Sequence, residues 1–241
     1  MSEQVNPYNE TQGKTEQVRQ MFNNIAGNYD FLNHFLSFGI DVYWRKRAIR
    51  KAQPFEDMEA LDIATGTGDL AIMLAKRGAN VRGIDLSPGM MEKGKEKVAK
   101  RGLSDKISFD TGDASNLSFA DKEFDAITVA FGVRNFEKLE QSLKEMYRVL
   151  KPQGRVVILE FSRPQNALVR SLYNFYNFRV LPFFGRLISK DNRAYEYLPE
   201  SISQFKSGKD FVMELEKAGF CEASFTPLSC GIVTIYCGER Q

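Results

Sequence analysis

Gly66-Thr67-Gly68-Asp69 follows the apolar run Leu61-Asp62-Ile63-Ala64-Thr65, placing two glycines and a carboxylate where a strand turns into a helix. Gly66, Gly68 and Ala71 fit a G-x-G-x-x-A dinucleotide pattern, and Asp85 follows at roughly the 20-residue offset of a ribose-binding acid. Read alone, the pattern points to NAD. Electrostatics oppose it. Asp69 stands where the free N–H groups of a helix N-terminus would meet a pyrophosphate, and a carboxylate repels that group. S-adenosylmethionine carries no phosphate, and its sulfonium and amino groups are cationic, so an acid is tolerated or useful there. Gly66 and Gly68 let the backbone approach such a ligand closely. The residues point to a methyltransferase cofactor site.

Acids at successive strand ends extend this reading. Val81-Arg82-Gly83-Ile84-Asp85 is predicted as a second strand whose terminal carboxylate could accept both ribose hydroxyls. Ile107-Ser108-Phe109-Asp110 is predicted as a third, followed by Gly112-Asp113-Ala114. There Asp113 is placed to bond the adenine amino group, with Ala114 packing beside the ring. Either acid alone could be a solvated loop residue; in series with the glycines they define a nucleoside site.

These groups need a frame. The 241 residues are enough for one elaborated α/β domain, and 43% hydrophobic residues is ordinary for a globular chain. A net charge of +2 is too balanced for a nucleic-acid footprint. Cys221, Cys230 and Cys237 are odd in number and lack C-x-x-C spacing, which suggests neither zinc nor disulfides and fits a reducing cytoplasm. With His34 as the only histidine, a histidine-rich metal site is excluded, and metal-free chemistry is expected. There is no run of about 18 uncharged apolar residues and no apolar leader, so neither a membrane span nor a signal peptide is expected.

Strands are predicted at about 60–65, 81–85, 106–110, 124–131 and 154–161, alternating with helices. Ser87-Pro88 caps and opens one helix, which Gly102 closes. Leu139, Leu143, Met146 and Leu150 mark another, stopped by Pro152-Gln153-Gly154. Ser207 and Asp210 suggest a capping box for a helix reaching Ala218. Two strands near 221–227 and 231–238 are too close for an intervening helix and must form an antiparallel hairpin. The expected organisation is a mobile N-terminus over 1–14 and a single domain over 15–241. That domain has a helical cap at 15–53 and an insertion at 163–200. A sheet parallel except for one reversed last strand resembles the class I, Rossmann-like S-adenosylmethionine-dependent methyltransferase fold, with seven strands.

Phe38-Gly39-Ile40-Asp41-x-x-Trp44-Arg45-Lys46, the Leu61–Asp69 stretch, Phe131-Gly132-Val133-Arg134-Asn135, Arg148-Val149-Leu150-Lys151-Pro152-x-Gly154 and Glu160-Phe161-Ser162-Arg163-Pro164 carry a closer resemblance. Together they resemble the UbiE/MenG family of quinone-biosynthesis C-methyltransferases, from about residue 18 to the C-terminus. The resemblance implies methyl transfer from S-adenosylmethionine to a ring carbon of reduced demethylmenaquinone. A ubiquinone-pathway benzoquinol is the alternative acceptor. It also implies cofactor contacts at Thr67, Asp85 and Asp113-Ala114. A further contact falls at Ala130, where some relatives have serine and where only the backbone could serve.

An apolar, lipid-borne acceptor needs an apolar pocket. Val18, Phe22, Ile25, Tyr29, Leu32 and Leu36 form a helical stripe weakened at Gly27. The insertion holds Tyr173, Phe175, Tyr176, Phe178, Phe183, Phe184, Tyr195 and Tyr197. Interleaved with them are Arg163, Arg170, Arg179, Arg186, Lys190 and Arg193, against only Asp191, Glu196 and Glu200, with Pro182 bending the run. Aromatics mixed with arginine can stack on RNA bases. An apolar face rimmed by cations suits a prenyl chain and an acidic membrane surface better, so peripheral contact with the inner face of the cell membrane is one expectation and a plain substrate lid the other. An oligomer is compatible with the sequence.

Methylation at a ring carbon needs no protein nucleophile, only positioning and removal of a phenolic proton. Arg134, just past the fourth strand, is expected to stabilise a phenolate or hold a water that accepts the proton, and Asn135 to orient the ring oxygens. His34 has the residue type of a base, with Asp41 and Tyr29 as lesser candidates. Two rivals remain: an NAD-linked oxidoreductase, which leaves Asp69 and Asp113 unexplained, and a noncatalytic S-adenosylmethionine-binding module, which leaves Arg134-Asn135 unexplained.

Overall fold

The five apolar runs and the terminal hairpin assemble into one sheet. A computed structural model describes residues 5–8, 11–180 and 192–241. Three helices, α1 (Lys14–Ile25), α2 (Tyr29–Leu36) and α3 (Ile40–Ala52), precede β1 (Glu59–Ile63), α4 (Asp69–Ala75), β2 (Asn80–Asp85), α5 (Pro88–Ala99), β3 (Ile107–Thr111), β4 (Phe124–Ala130), α6 (Leu139–Val149) and β5 (Leu150–Phe161). Then come α7 (Ala167–Phe175), a π-turn (Tyr176–Val180), α8 (Asn192–Gln204), α9 (Lys209–Lys217), β6 (Cys221–Leu228) and β7 (Val233–Glu239). Strand order is β3-β2-β1-β4-β5-β7-β6, and only β7 runs against its neighbours.

The order reverses direction between β1 and β4, and ligands in such sheets bind beyond the strand ends at that point. Ala64 and Phe131, immediately after β1 and β4, both have left-handed backbones, with φ of 52° and 60°. Strain of this kind gathers where structure is fixed for function. Both sheet faces are covered by apolar cores. One contains Leu74 and Val157, the other Ile127 and Phe211, as a parallel sheet buried on both sides requires.

Helix ends mostly follow local chemistry. Ser87 caps α5 by accepting from Met90 N, with Pro88 at the first position. The capping box expected at Ser207 and Asp210 does not form. Gly208 is the N-cap of α9, at φ 67° and with no side-chain cap, and its N–H donates to the Tyr236 hydroxyl at 2.8 Å. A tertiary contact replaces the local one. The stripe through Val18 and Leu36 is likewise interrupted at residues 26–28, which divide α1 from α2.

A third, smaller apolar cluster lies in the cap. Met21 and Ile25 of α1 pack with Ala194 and Tyr197 of α8, joined by Val5, Tyr8, Tyr29 and Tyr176. Fully burying a large apolar side chain stabilises by about 1.5–3 kcal/mol, so this cluster holds the N-terminal helices to the distant insertion. Residues 5–8 are engaged as well: Val5 N donates to Gln204, and Pro7 O accepts from Arg193. Pro182, Phe183, Phe184, Arg186, Lys190 and Asp191 lie outside the described residues, as do the side chains of Leu32 and Tyr195.

Candidate active site

The glycine turn is built by the two glycines and by Asp85. Gly66 and Gly68 have φ of 56° and 78°, where side chains are strained, and a Cβ on Gly68 would stand 2.8 Å from the Phe109 ring. Gly66 N–H donates to Asp85 Oδ2 at 2.8 Å and Gly68 N–H to Thr65 O at 2.9 Å, so neither is left for a phosphate. Asp85 Oδ1 also accepts from Ser87 N at 2.8 Å. Burial pushes the Asp85 carboxyl up from its ordinary value, opposed by the N–H groups of Ser87, Gly66 and Leu86.

Three cavities meet here. The first lies at the strand ends between Gly66, Asp85, Asp113, Ala114, Ala130 and Asn135, and is roofed by Val18 and Phe22 of α1. Asp113 uses Oδ1 to accept from Ser115 N at 2.8 Å. The second is a small polar recess lined by Arg45, Asp62, Thr67 and Asp69. The third, of about 460 Å³, is apolar: Trp44, Phe131, Phe161, Leu172 and Tyr197 line it, with Arg134, Asp41 and Arg45 as its charged groups. Phe22, Tyr29 and Phe131 line both the first and the third.

The recess is rich in carboxylates. Asp62 is fully buried and accepts from the hydroxyls of Thr65 and Thr128, each at 2.6 Å; burial raises its pKa to about 6 despite those bonds. Burial also acts to raise Asp69, but Arg45, Lys97 and His34 outweigh it and hold the group below its ordinary value. Thr67 donates to Asp30 and accepts from Lys97 at 2.9 Å, fastening α2 to the turn.

The expected catalytic residues separate. Arg134 Nη1 donates to Glu160 Oε1 at 2.8 Å and to the Phe131 carbonyl, and its guanidinium lies 5.6 Å from the Phe161 ring centre. Arg134 is not the free cation that its sequence position suggests, because Glu160, with a fully buried side chain, pairs with it. Two buried donors in this loop, Arg134 Nε and Asn135 Nδ2, have no partner among the described residues. Asn135 Oδ1 accepts from the Tyr197 hydroxyl at 3.0 Å. Burial, the largest influence, pushes Tyr197 up to about 12, so it remains a neutral donor.

His34 stands apart. Its side chain is 43% exposed, lines none of these cavities, and lies 2.8 Å from Asp41 Oδ2 and 3.9 Å from Asp69 Oδ2. Gly68 lines none either; its contribution is the shape of the turn.

Glu160, Arg45 and Tyr197 are prominent in the site; the sequence places Arg45 and Glu160 in motifs and Tyr197 among the aromatics of the insertion, but assigns none of them an individual role. Glu160 carried a signal, being a carboxylate at the end of the otherwise apolar run Val156–Leu159. Among the described residues, no three His, Cys, Asp or Glu side chains group as metal ligands.

The residues present fit S-adenosylmethionine. Both glycine N–H groups of the turn are already bonded within the protein, carboxylates crowd the recess where cationic groups would sit, and Asp85 and Asp113 flank a cavity at the strand ends.

Comparison with known proteins agrees. The chain is similar to structures of the [4+2]-cyclase SpnF, with a TM-score of 0.71, 15% identity and 94% of this chain and 96% of that one covered. It is also similar to a putative S-adenosylmethionine-dependent methyltransferase from Methanococcus maripaludis, with a TM-score of 0.64, 21% identity and 97% of each covered. At these identities the likeness concerns the fold. In sequence, it is 49% identical to a demethylmenaquinone methyltransferase of Bacteroides fragilis over 99% of this chain and 98% of that one. It is 46% identical to a ubiquinone/menaquinone biosynthesis C-methyltransferase of Geotalea daltonii, over 94% and 97%. The profile of the ubiE/COQ5 methyltransferase family matches residues 10–240. Sequence and sheet order agree, and the chain belongs to the ubiE/COQ5 methyltransferase family.

Proposed function

We propose that this protein transfers a methyl group from S-adenosylmethionine to a ring carbon of reduced demethylmenaquinone, giving menaquinol. The observation that carries this reading is the junction at Phe22, Tyr29 and Phe131. There a carboxylate-lined cofactor cavity meets an apolar cavity sized for a ring. The names of the relatives support the acceptor class.

Asp85 would hold the ribose hydroxyls, Asp113 and Ala114 the adenine, and Gly66 with the backbone of Ala130 the floor. Thr67 joins through the turn it fixes. Asp62 and Asp69 would face the amino-acid end. When bound, the cofactor supplies a methyl group on a sulfonium, an electrophile that an electron-rich ring carbon can attack.

Arg134 lines the apolar cavity and Asn135 the strand-end cavity, and the buried donors Arg134 Nε and Asn135 Nδ2 have no partners among the described residues, an arrangement costly when empty and suited to a developing phenolate held where the two cavities meet. Glu160 holds the guanidinium in place; the phenolic proton leaves to water, and after the ring carbon takes the methyl group the proton on that carbon is lost while the oxygen is reprotonated, which restores the aromatic quinol. Because the acceptor carries a prenyl chain, the enzyme is proposed to work in the cytoplasm, peripheral to the membrane.

Labelled S-adenosylmethionine and a panel of reduced naphthoquinols and benzoquinols, with products analysed by mass, tests the reading. A quinone ring is electron-poor, so turnover should require a reductant such as dithionite. Equal rates with oxidised quinone, or methylation of benzoquinols alone, would overturn it.

A further inference from the structure

Helix α7 has no buried residue, although it is strongly apolar. Leu168, Leu172 and Phe175 recur at helical spacing and are 71%, 65% and 64% exposed, and Phe178 continues the exposed run. A second exposed apolar set lies on α2 and the start of α3: Phe31 and Phe35, stacked at 5.7 Å, then Phe38, Ile40 and Tyr43. The two sets adjoin, because the Tyr176 hydroxyl donates to Leu36 O at 2.6 Å and Phe38, Ile40, Val169 and Leu172 line the same cavity. A monomer rarely exposes so much contiguous apolar surface without a partner.

Charge says which partner. Residues 163–180 contain Arg163, Arg170 and Arg179 and no acid, and all three arginines are exposed. On α3 the face carrying Tyr43 continues with Lys46, Arg47 and Arg50, while the one acid of that helix, Asp41, is buried and bound to Arg45. With the whole chain at only +2, positive charge is concentrated around this apolar patch.

We infer that the exposed faces of α2, α3 and α7 dock on an anionic lipid bilayer and make the cavity beneath them a side entrance for the acceptor, which keeps its tail in the lipid. This deepens the reading given above and rests on it. An interfacial helix sinks its apolar face about 5–10 Å into the headgroup boundary, where arginines can reach lipid phosphates. No helix among the described residues is long and apolar enough to cross a membrane, so the contact is made by faces. A cavity of about 460 Å³ takes the ring and the start of a prenyl chain, and the remainder needs apolar surroundings directly at the mouth.

The test is flotation of the full chain with vesicles of phosphatidylcholine alone and with vesicles containing about one-third phosphatidylglycerol, at low and high salt. Expected is binding to the anionic vesicles that falls roughly tenfold in high salt and on neutral vesicles. The double variant Leu168→Asp/Phe175→Asp, whose sites line none of the cavities, should lose that binding. It should methylate a short-chain, water-soluble demethylmenaquinol at the wild-type rate, yet be slow on a long-chain acceptor embedded in vesicles.

Wild-type protein that floats with neither vesicle, or a variant that floats as well as wild type, would overturn the inference. So would an apolar patch closed by a second copy, seen as a dimer in sedimentation that the variant dissolves without vesicle binding. Failure of the chemical reading shows separately, as no turnover of the short acceptor by either protein.

Discussion

Arg134 and Glu160 illustrate how one residue can serve stability and chemistry together. The pair is buried, so Arg134→Ala leaves a carboxylate without its partner and should cost about 3–5 kcal/mol of stability as well as about 10²-fold or more in kcat. The double change Arg134→Met/Glu160→Gln separates the two effects, because the amide introduced on β5 is neutral and its oxygen still accepts from one of the two backbone N–H groups that Glu160 binds, those of Arg134 and Phe161. Thermal melting should recover most of the stability while methyl transfer stays lost. Recovery of turnover would show that the guanidinium has no part in the reaction. Asp62 makes a different kind of prediction. Its folded pKa of about 6 lies above the roughly 3.9 of an unfolded chain, so the folded state binds more protons between those values. Stability contributed by this group therefore falls as pH rises through that window, by roughly 2–4 kcal/mol, and is flat above it. Asp62→Asn should remove that slope in urea titrations made at about pH 4.5 and pH 7.

Among the elements, the turn from β1 to α4 and the helix α8 matter most. Gly68→Ala combines a left-handed backbone with a Cβ 2.8 Å from Phe109, and should destabilise by about 2–4 kcal/mol in a denaturant melt. A cost below about 0.5 kcal/mol would show that the ring moves aside freely. Helix α8 reaches the loop after β4 through the Tyr197–Asn135 bond, which fixes the amide with its oxygen toward Tyr197 and its N–H without a partner among the described residues. Tyr197→Phe leaves the ring packing but frees the amide to rotate. Acceptor turnover should fall about tenfold while cofactor affinity, measured by calorimetry, is unchanged. Equal loss of both would reduce Tyr197 to a packing residue.

In the whole molecule the cap and the sheet domain are joined differently from the way each is built. Inside, the cap is apolar. Its seam with the domain includes polar contacts: Asn23 with Ser87 and Gly89, Thr15 with Glu137, Asp30 with Thr67 and Lys97, and Tyr197 with Asn135. Three of these tethers end on residues that line the strand-end cavity, Ser87, Glu137 and Asn135, the fourth ends on Thr67 in the polar recess, and α1 roofs the cavity. Ligand at about 100 times its Kd should then slow amide exchange in α1 by about 100-fold, with α9 on the opposite side little affected. Uniform protection, or none in α1, would show that the cap does not lift for cofactor entry.

The strands, the Ser87-Pro88 cap, the terminal hairpin and the acids at 85 and 113 were legible in the sequence. Period, capping and strand-end position are local properties written in neighbouring residues. The helix start at Gly208 was not, because Tyr236, which receives its N–H, is far along the chain. The partner of Arg134 was equally hidden: it becomes visible only when β4 and β5 lie side by side and bring Glu160 to the loop after β4. His34 had the residue type of a base, but the packing of α2 on α3 set it against Asp41, which lines the acceptor cavity while His34 does not. The sequence determined which chemistry the residues can perform. Tertiary structure decided which of them share a desolvated space, since charge pairing and burial depend on distances across elements that no local pattern encodes.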